Sequence, residues 1–169
     1  MKKLVLALLL ILLQLCTACS ETTYHSNEEI GRAFQRHKST FENVAVSAVG
    51  ENSGYIHKPD AEGQETECGD SGCKLMEADG LHIHLQREMS DTELRHIAEA
   101  ALALMENVDI ESISFSQEAV RFHLKDESEY SWDPTIVYWR ADDADEGKIG
   151  YGEAVCRLAD HWDAALITR

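Results

Sequence analysis

Two histidines that alternate along one short segment could bind a transition metal. His82 and His84 flank Ile83, and residues two apart in an extended strand lie on the same side. Neutral imidazole is a common ligand of zinc, copper and nickel. His123 falls on the polar side of a second alternating segment, so the three histidines could converge if the two strands are neighbours. The alternative is a solvated strand face, because no cysteine or carboxylate at a characteristic spacing completes a zinc motif.

Cysteines supply a second possible chemistry, disulfide formation. Cys68 and Cys73 enclose four residues, two of them glycines, and in an exported protein they could close this turn. A loop this short gives at most about 2–3 kcal/mol of chain-entropy stabilisation. Pairing of Cys156 with one of them is the alternative. A cysteine left unpaired is expected to pack as a small, buried apolar residue.

Two further motifs resemble known sites but depart from them at a required position. Asp142–Gly147 resembles a calcium-binding loop with Glu153 twelve positions into it, yet Ala144 occupies a ligand position. Gly-Asp-Ser-Gly at 69–72 resembles the nucleophile segment of trypsin-like serine proteases, but Cys73 replaces a glycine and that family's histidine motif is absent. The sequence contains no phosphate loop, dinucleotide fingerprint or zinc-protease motif either, which favours a non-catalytic protein.

The N-terminal residues have the pattern of a secretory signal. Two lysines precede an unbroken apolar run, Leu4–Leu13, which is shorter than the roughly 20 residues of a membrane-spanning helix. Ala18 and Cys19 then end a stretch that resembles the lipobox of bacterial lipoprotein precursors, although Cys16 stands where that family usually has leucine. The resemblance implies removal of residues 1–18 and attachment of lipid to Cys19.

The same resemblance implies a location. In Gram-negative lipoproteins the residue after the lipidated cysteine influences sorting, and Ser20 favours the outer membrane, facing the periplasm. Several acyl chains would anchor the protein firmly, whereas one chain gives only marginal binding.

The net charge of the chain restricts its partners. It is −16, from 31 acidic and 15 basic residues, which disfavours binding to nucleic acid and favours a cationic protein partner. Residues 1–18 contain two lysines and no acid, so their removal makes the charge −18. A domain this acidic would not adhere to anionic lipid by itself, and its attachment to the membrane would depend on the anchor.

Apolar periodicity predicts two amphipathic helices. The first runs over 28–49 with Ser26 or Asn27 as its cap, and the second begins at a capping box, Ser90 to Glu93, and ends near Asn107. Between them, residues 51–80 are poor in large apolar residues and predict a long loop with at most a brief strand at Tyr55-Ile56.

Alternating patterns predict strands in the remainder of the chain. They cover 81–87, a hairpin over 112–125 and a strand over 136–140, with a turn at Trp132-Asp133-Pro134. The segment 153–168 fits either a helix or strands, and glycines near its start favour strands. We therefore expect an α+β fold, with two amphipathic helices on an antiparallel sheet of about four to five strands. A tether of 19–27 would precede this single domain over 28–169.

These expectations lead to two functional hypotheses. The first is a lipid-anchored envelope protein whose domain binds a cationic protein, as an inhibitor or immunity protein would. The alternative is a metal-binding envelope lipoprotein that uses His82, His84 and His123. In outline the mature chain also resembles small uncharacterised bacterial lipoproteins, with Phe34 and Phe41 on an early helix and Trp162 among late strands.

Overall fold

The structure, a computed structural model, describes residues 26–48, 53–59, 74–78, 80–86, 89–125, 132–140 and 152–168. Within these residues there are two helices, α1 (Asn27–Ser47) and α2 (Asp91–Met105). The strands are β1 (Gly54–His57), β2 (Lys74–Ala78), β3 (Leu81–Leu85), β4 (Ile110–Phe115), β5 (Ala119–Leu124), β6 (Trp132–Trp139), β7 (Gly152–Ala159) and β8 (Trp162–Thr168). They form one sheet in the order β2-β3-β1-β4-β5-β6-β8-β7, and every pairing is antiparallel.

Helix α1 begins at a capping serine and buries one apolar face. The Ser26 hydroxyl accepts a hydrogen bond from the Glu29 backbone N–H, and two glutamates in the first turn favour the positive end of the helix. The backbone leaves helical geometry at His37 (φ −118°, ψ 20°), where the helix is kinked. On both sides of this kink the buried residues keep helical spacing: Ile30, Phe34, Phe41, Val44 and Ala45.

The predicted capping box of α2 is confirmed. The Ser90 hydroxyl accepts from the Glu93 N–H, and the Glu93 carboxylate accepts from the Ser90 N–H at 3.0 Å. The last turn of α2 holds no basic residue of its own. Instead, the Lys58 ammonium reaches over from the end of β1 and donates to the Met105 carbonyl at 3.2 Å, which satisfies one of the terminal acceptors.

Both helices lie against the same face of the sheet. Helix α1 contacts β6, β7 and β8, whereas α2 contacts β2, β3 and β4, and the two helices pack against each other. A row of apolar residues crosses the sheet beneath them in register: Ile83, Ile56, Ile113, Phe122, Ile136 and Ala164. No helix among the described residues is long and apolar enough to span a membrane.

Aromatic rings join α1 to the sheet at the centre of this core. The Phe41 ring lies 5.7 Å from Phe34, 5.0 Å edge-on from Phe122 and 6.1 Å edge-on from Trp162, measured between centroids. All four side chains are buried. Tilted and edge-on arrangements are favoured between aromatic rings, so this cluster contributes more than its buried area alone.

The α+β class and the two helices are confirmed, but the predicted strand count is wrong. Four to five strands were expected, and the sheet has eight. Strand β1 confirms the brief strand expected at Tyr55-Ile56, whereas β2 lies in the predicted loop over 51–80 and is too short to show a clear period. The predicted turn at Trp132-Asp133-Pro134 is instead the start of β6. Pro134 is compatible with a strand there because the pairing of β6 with β5 begins only at Thr135.

The segment 153–168 forms strands, as the glycines near its start indicated. Strand β8 lies between β6 and β7, and Trp162 and Ala164 face the helices while Asp163 and Ala165 face the other side. The helical alternative is wrong because pairing on both sides of β8 outweighs a weak spacing of apolar residues. Cys156 in β7 is an exposed free thiol, which corrects the expectation that an unpaired cysteine is buried.

Phe41→Ala should lower the free energy of unfolding by about 3–5 kcal/mol, because it leaves a cavity among three other rings. Val46→Ala on the same helix should change it by less than about 0.5 kcal/mol, since Val46 is 69 % exposed. Urea unfolding monitored by circular dichroism measures both values. Equal destabilisation by the two substitutions would contradict the assignment of the core.

Candidate functional site

Histidine side chains gather on the face of the sheet opposite the helices. In β3, Leu81, Ile83 and Leu85 are buried under the helices, so His82 and His84 project from the other face. In β1 the same alternation places Ile56 beneath the helices and His57 opposite them.

The sheet register brings three of these imidazoles together. Strands β1 and β3 are neighbours, and His57 lies directly opposite His82, while Tyr55 lies opposite His84. The His57 Nε2 is 3.2 Å from the His84 Nε2, and the His57 and His82 rings meet edge-on with centroids 5.3 Å apart. We call His57, His82 and His84 the histidine cluster. His57 and His84 are each only 7 % exposed.

The backbone determines which nitrogen of His57 carries a proton. The His57 Nδ1 lies 2.9 Å from the Lys58 carbonyl oxygen, and a carbonyl oxygen only accepts, so Nδ1–H is the donor. In the neutral ring Nε2 then presents its lone pair. The His84 Nε2–H donates to that lone pair, and the two rings are nearly parallel, with an angle of 16° between their planes.

Burial lowers the pKa of His84, and the neighbouring His57 and His82 lower it further by charge repulsion. The His84 ring therefore resists protonation and stays in the neutral form, which is the form of imidazole that binds metals.

His123 does not join the cluster, contrary to the expected convergence. The strand order β3-β1-β4-β5 places it three strand spacings from His82, which is about 14 Å. Its Nε2 lies 3.2 Å from the Ser114 hydroxyl instead. Sequence reasoning missed His57, whose signal was its place two residues after Tyr55 in a short alternating segment.

At the other end of this face a buried carboxylate is fully engaged. Asp163, which is 2 % exposed, accepts from the Trp139 indole N–H at 2.8 Å and pairs with the Arg157 Nε at 2.7 Å. Both carboxylate oxygens therefore have strong partners, as burial of a charge requires. This arrangement ties β6, β7 and β8 together and is structural.

Several residues considered in the sequence lie outside the described part of the chain, namely Cys19, Cys68, Cys73 and Asp142–Gly147. Within the described part, no group of three or more His, Cys, Asp or Glu side chains is already arranged to hold a metal ion. The histidine cluster is thus two imidazoles that face each other and a third beside them.

Carboxylates are concentrated on the surface formed by α2 and the start of β4. Exposed side chains over 91–111 include six acids but only one arginine, Arg95, and one histidine, His96. We call this the acidic surface, and its carboxylates belong to Asp91, Glu93, Glu99, Glu106, Asp109 and Glu111.

A groove of about 260 Å³ lies between α1 and the residues that follow α2. Its charged lining is mixed, with Glu29, Arg32, Arg36 and Asp109 beside His37. This volume is below the roughly 300–1,000 Å³ of small-molecule sites, so the groove is smaller than a typical substrate pocket.

Comparison with known proteins gave no match to a protein-family model, to a curated protein or to a solved structure.

Acidification should destabilise the protein through His84. The pKa of His84 is below its ordinary value of 6.5, so the unfolded chain binds more protons between these two values. The unfolding free energy should fall as the pH drops below about 6.5 and this contribution should level off below the lowered pKa. His84→Gln should reduce that dependence, whereas His96→Gln on the exposed side of α2 should not. Denaturant titrations at several pH values measure it, and identical pH dependence in wild type and His84→Gln would contradict it.

Proposed function

We propose that this protein is a lipid-anchored lipoprotein of the cell envelope whose domain binds a cationic protein partner without catalysing a reaction. The acidic surface is the observation that carries this proposal. The partner class follows from charge complementarity, and an inhibitor or immunity protein against a basic envelope-active hydrolase or toxin is one such activity.

Some carboxylates of the acidic surface stabilise α2, whereas others do not stabilise it or are unfavourable. Asp91 and Glu93 lie in the first turn of α2, where carboxylates stabilise the positive end of the helix. Glu106, the C-terminal cap, lies at the negative end, where a carboxylate is unfavourable by about 0.3–1 kcal/mol. Glu99 is exposed in the middle of the helix. Local stability does not explain Glu99 and Glu106, and both are accessible to a partner.

Charge of one sign on a rigid helix would accelerate association. Oppositely charged proteins are steered toward such a surface, and their rate of encounter falls as salt screens the charges. A capping box holds the first turn of α2 and Lys58 holds its last turn. The exposed carboxylates therefore project from a helix that is fixed at both ends.

The proposed anchor complements this surface. Because α1 is capped at Ser26, the tether between Cys19 and the domain has only six residues, 20–25, and spans at most about 21 Å, so a lipid on Cys19 would hold the domain close to the bilayer. Anionic headgroups would repel the acidic domain, which keeps its binding surface available to soluble partners. The outer membrane, on its periplasmic side, is the location that Ser20 favours.

Metabolic labelling with radioactive palmitate tests the anchor. Wild type should incorporate label and lose the mass of residues 1–18, whereas Cys19→Ser should do neither. Cys16→Ser is the matched control and should be labelled like wild type. Equal labelling of wild type and Cys19→Ser would exclude lipid at this cysteine.

Replacement of acids by their neutral amides tests the surface. Glu99→Gln/Glu106→Gln should raise the Kd for purified basic envelope hydrolases about 2- to 10-fold at low salt, mainly through slower association. Glu28→Gln/Glu42→Gln changes the same charge on α1 and should have a smaller effect. Biolayer interferometry at low and high salt measures both rates. Indistinguishable effects of the two double variants would remove the acidic surface from the proposal, and no binding by wild type would remove the cationic partner.

A further inference from the structure

We propose that His57, His82 and His84 bind a divalent first-row transition-metal ion such as zinc. The site lies on the face of the sheet opposite the helices, away from the acidic surface, so this inference is independent of the proposed protein partner. It replaces His123 of the sequence-based set with His57, because the strand order separates His123 from the other two histidines.

The spacing of the two facing imidazoles is that of two ligands on one ion. Zinc binds imidazole nitrogen at about 2.0–2.1 Å in tetrahedral geometry, which places two such nitrogens roughly 3.3 Å apart. The His57 and His84 Nε2 atoms are 3.2 Å apart. Metal binding therefore needs the two rings to tilt until both Nε2 lone pairs point at one ion instead of toward each other.

His57 already has the outer partner that metal-binding histidines usually have. Its Nδ1–H donates to the Lys58 carbonyl, which orients the ring and keeps Nε2 unprotonated, so the lone pair that accepts from His84 could bind a metal ion instead. Lys58 is itself held, because its ammonium donates to the Met105 carbonyl at the end of α2. The orientation of His57 is thus supported by the backbone of Lys58, a residue that is itself bound to the end of α2.

His84 and His82 would complete the set by small rearrangements. The proton on the His84 Nε2 would move to Nδ1 through solvent, which exchanges one neutral tautomer for the other and leaves the charge of the ring unchanged. His82 lies opposite His57 in register with its ring edge-on to it, and this partly buried side chain can turn toward the same point. Water would take the fourth position.

The net charge of the chain favours a cation here, because a chain with net charge −16 raises the local concentration of cations around it.

Calorimetric titration with zinc tests the site on the full-length protein in detergent after treatment with a chelator. Wild type should bind one equivalent, and His57→Gln and His84→Gln should each raise the Kd by at least about tenfold, the loss that follows removal even of an outer partner. His123→Gln lies on the same face and is the matched control, with an unchanged Kd. Circular dichroism confirms that each variant is folded, and His82→Gln, at a less buried position, provides a third ligand test.

Cobalt spectroscopy on the wild-type protein separates this site from thiolate binding. The expected spectrum has d–d bands of a tetrahedral site without the charge-transfer absorption that cysteine ligands give. Failure of wild type to bind zinc, an unchanged Kd in His57→Gln, or cobalt–thiolate absorption would each overturn the proposal. None of these outcomes bears on binding of a cationic protein.

Discussion

Coverage of one face of the sheet by two helices is the constraint on which the rest of the structure depends. Because side chains alternate along each strand, the row of apolar residues beneath α1 and α2 determines which residues face the other side. The ring cluster around Phe41 joins α1 to this row. A slip of one residue in β1 or β3 would exchange isoleucine for histidine in the core, so packing fixes the register that brings the imidazoles together.

The polar face of the sheet has two buried groups, Asp163 and the His57–His84 pair, which differ in how many partners their polar atoms have. Asp163 is held by Trp139 and Arg157, and both of its oxygens have close partners. His57 and His84 share one hydrogen bond in a similarly buried position, and at low pH their charged forms would repel each other. The first centre connects strands, whereas the second has a nitrogen pair with the separation of metal ligands. Because of this difference we assign a structural role to Asp163 and propose a metal-binding role for His57 and His84.

Lys58 connects the two surfaces that we consider functional. Its carbonyl accepts from His57, and its ammonium donates to the end of α2, where the acidic surface continues past Glu106. Such a connection stabilises the negative end of a helix that has no basic residue in its own last turn. The orientation of His57 and the end of the helix that carries the carboxylates therefore both involve Lys58, the first through its backbone and the second through its side chain. The two proposed activities nevertheless use opposite kinds of chemistry, neutral imidazole in one and exposed charge in the other.

Local patterns in the sequence were enough to predict the two helices, their caps, the alternation of β3, the hairpin of β4 and β5, and the side of the sheet on which His82 and His84 lie. These features depend on residues within a few positions of one another. Strand order depends on residues that are far apart in the sequence. It places β1 between β3 and β4, brings His57 next to a histidine 27 positions away, and keeps His123 remote from both. The short strand β2 also escaped detection, and β1 was expected only as a brief strand at Tyr55-Ile56, since strands of four and five residues acquire their stability from neighbours on the sheet and show almost no pattern of their own.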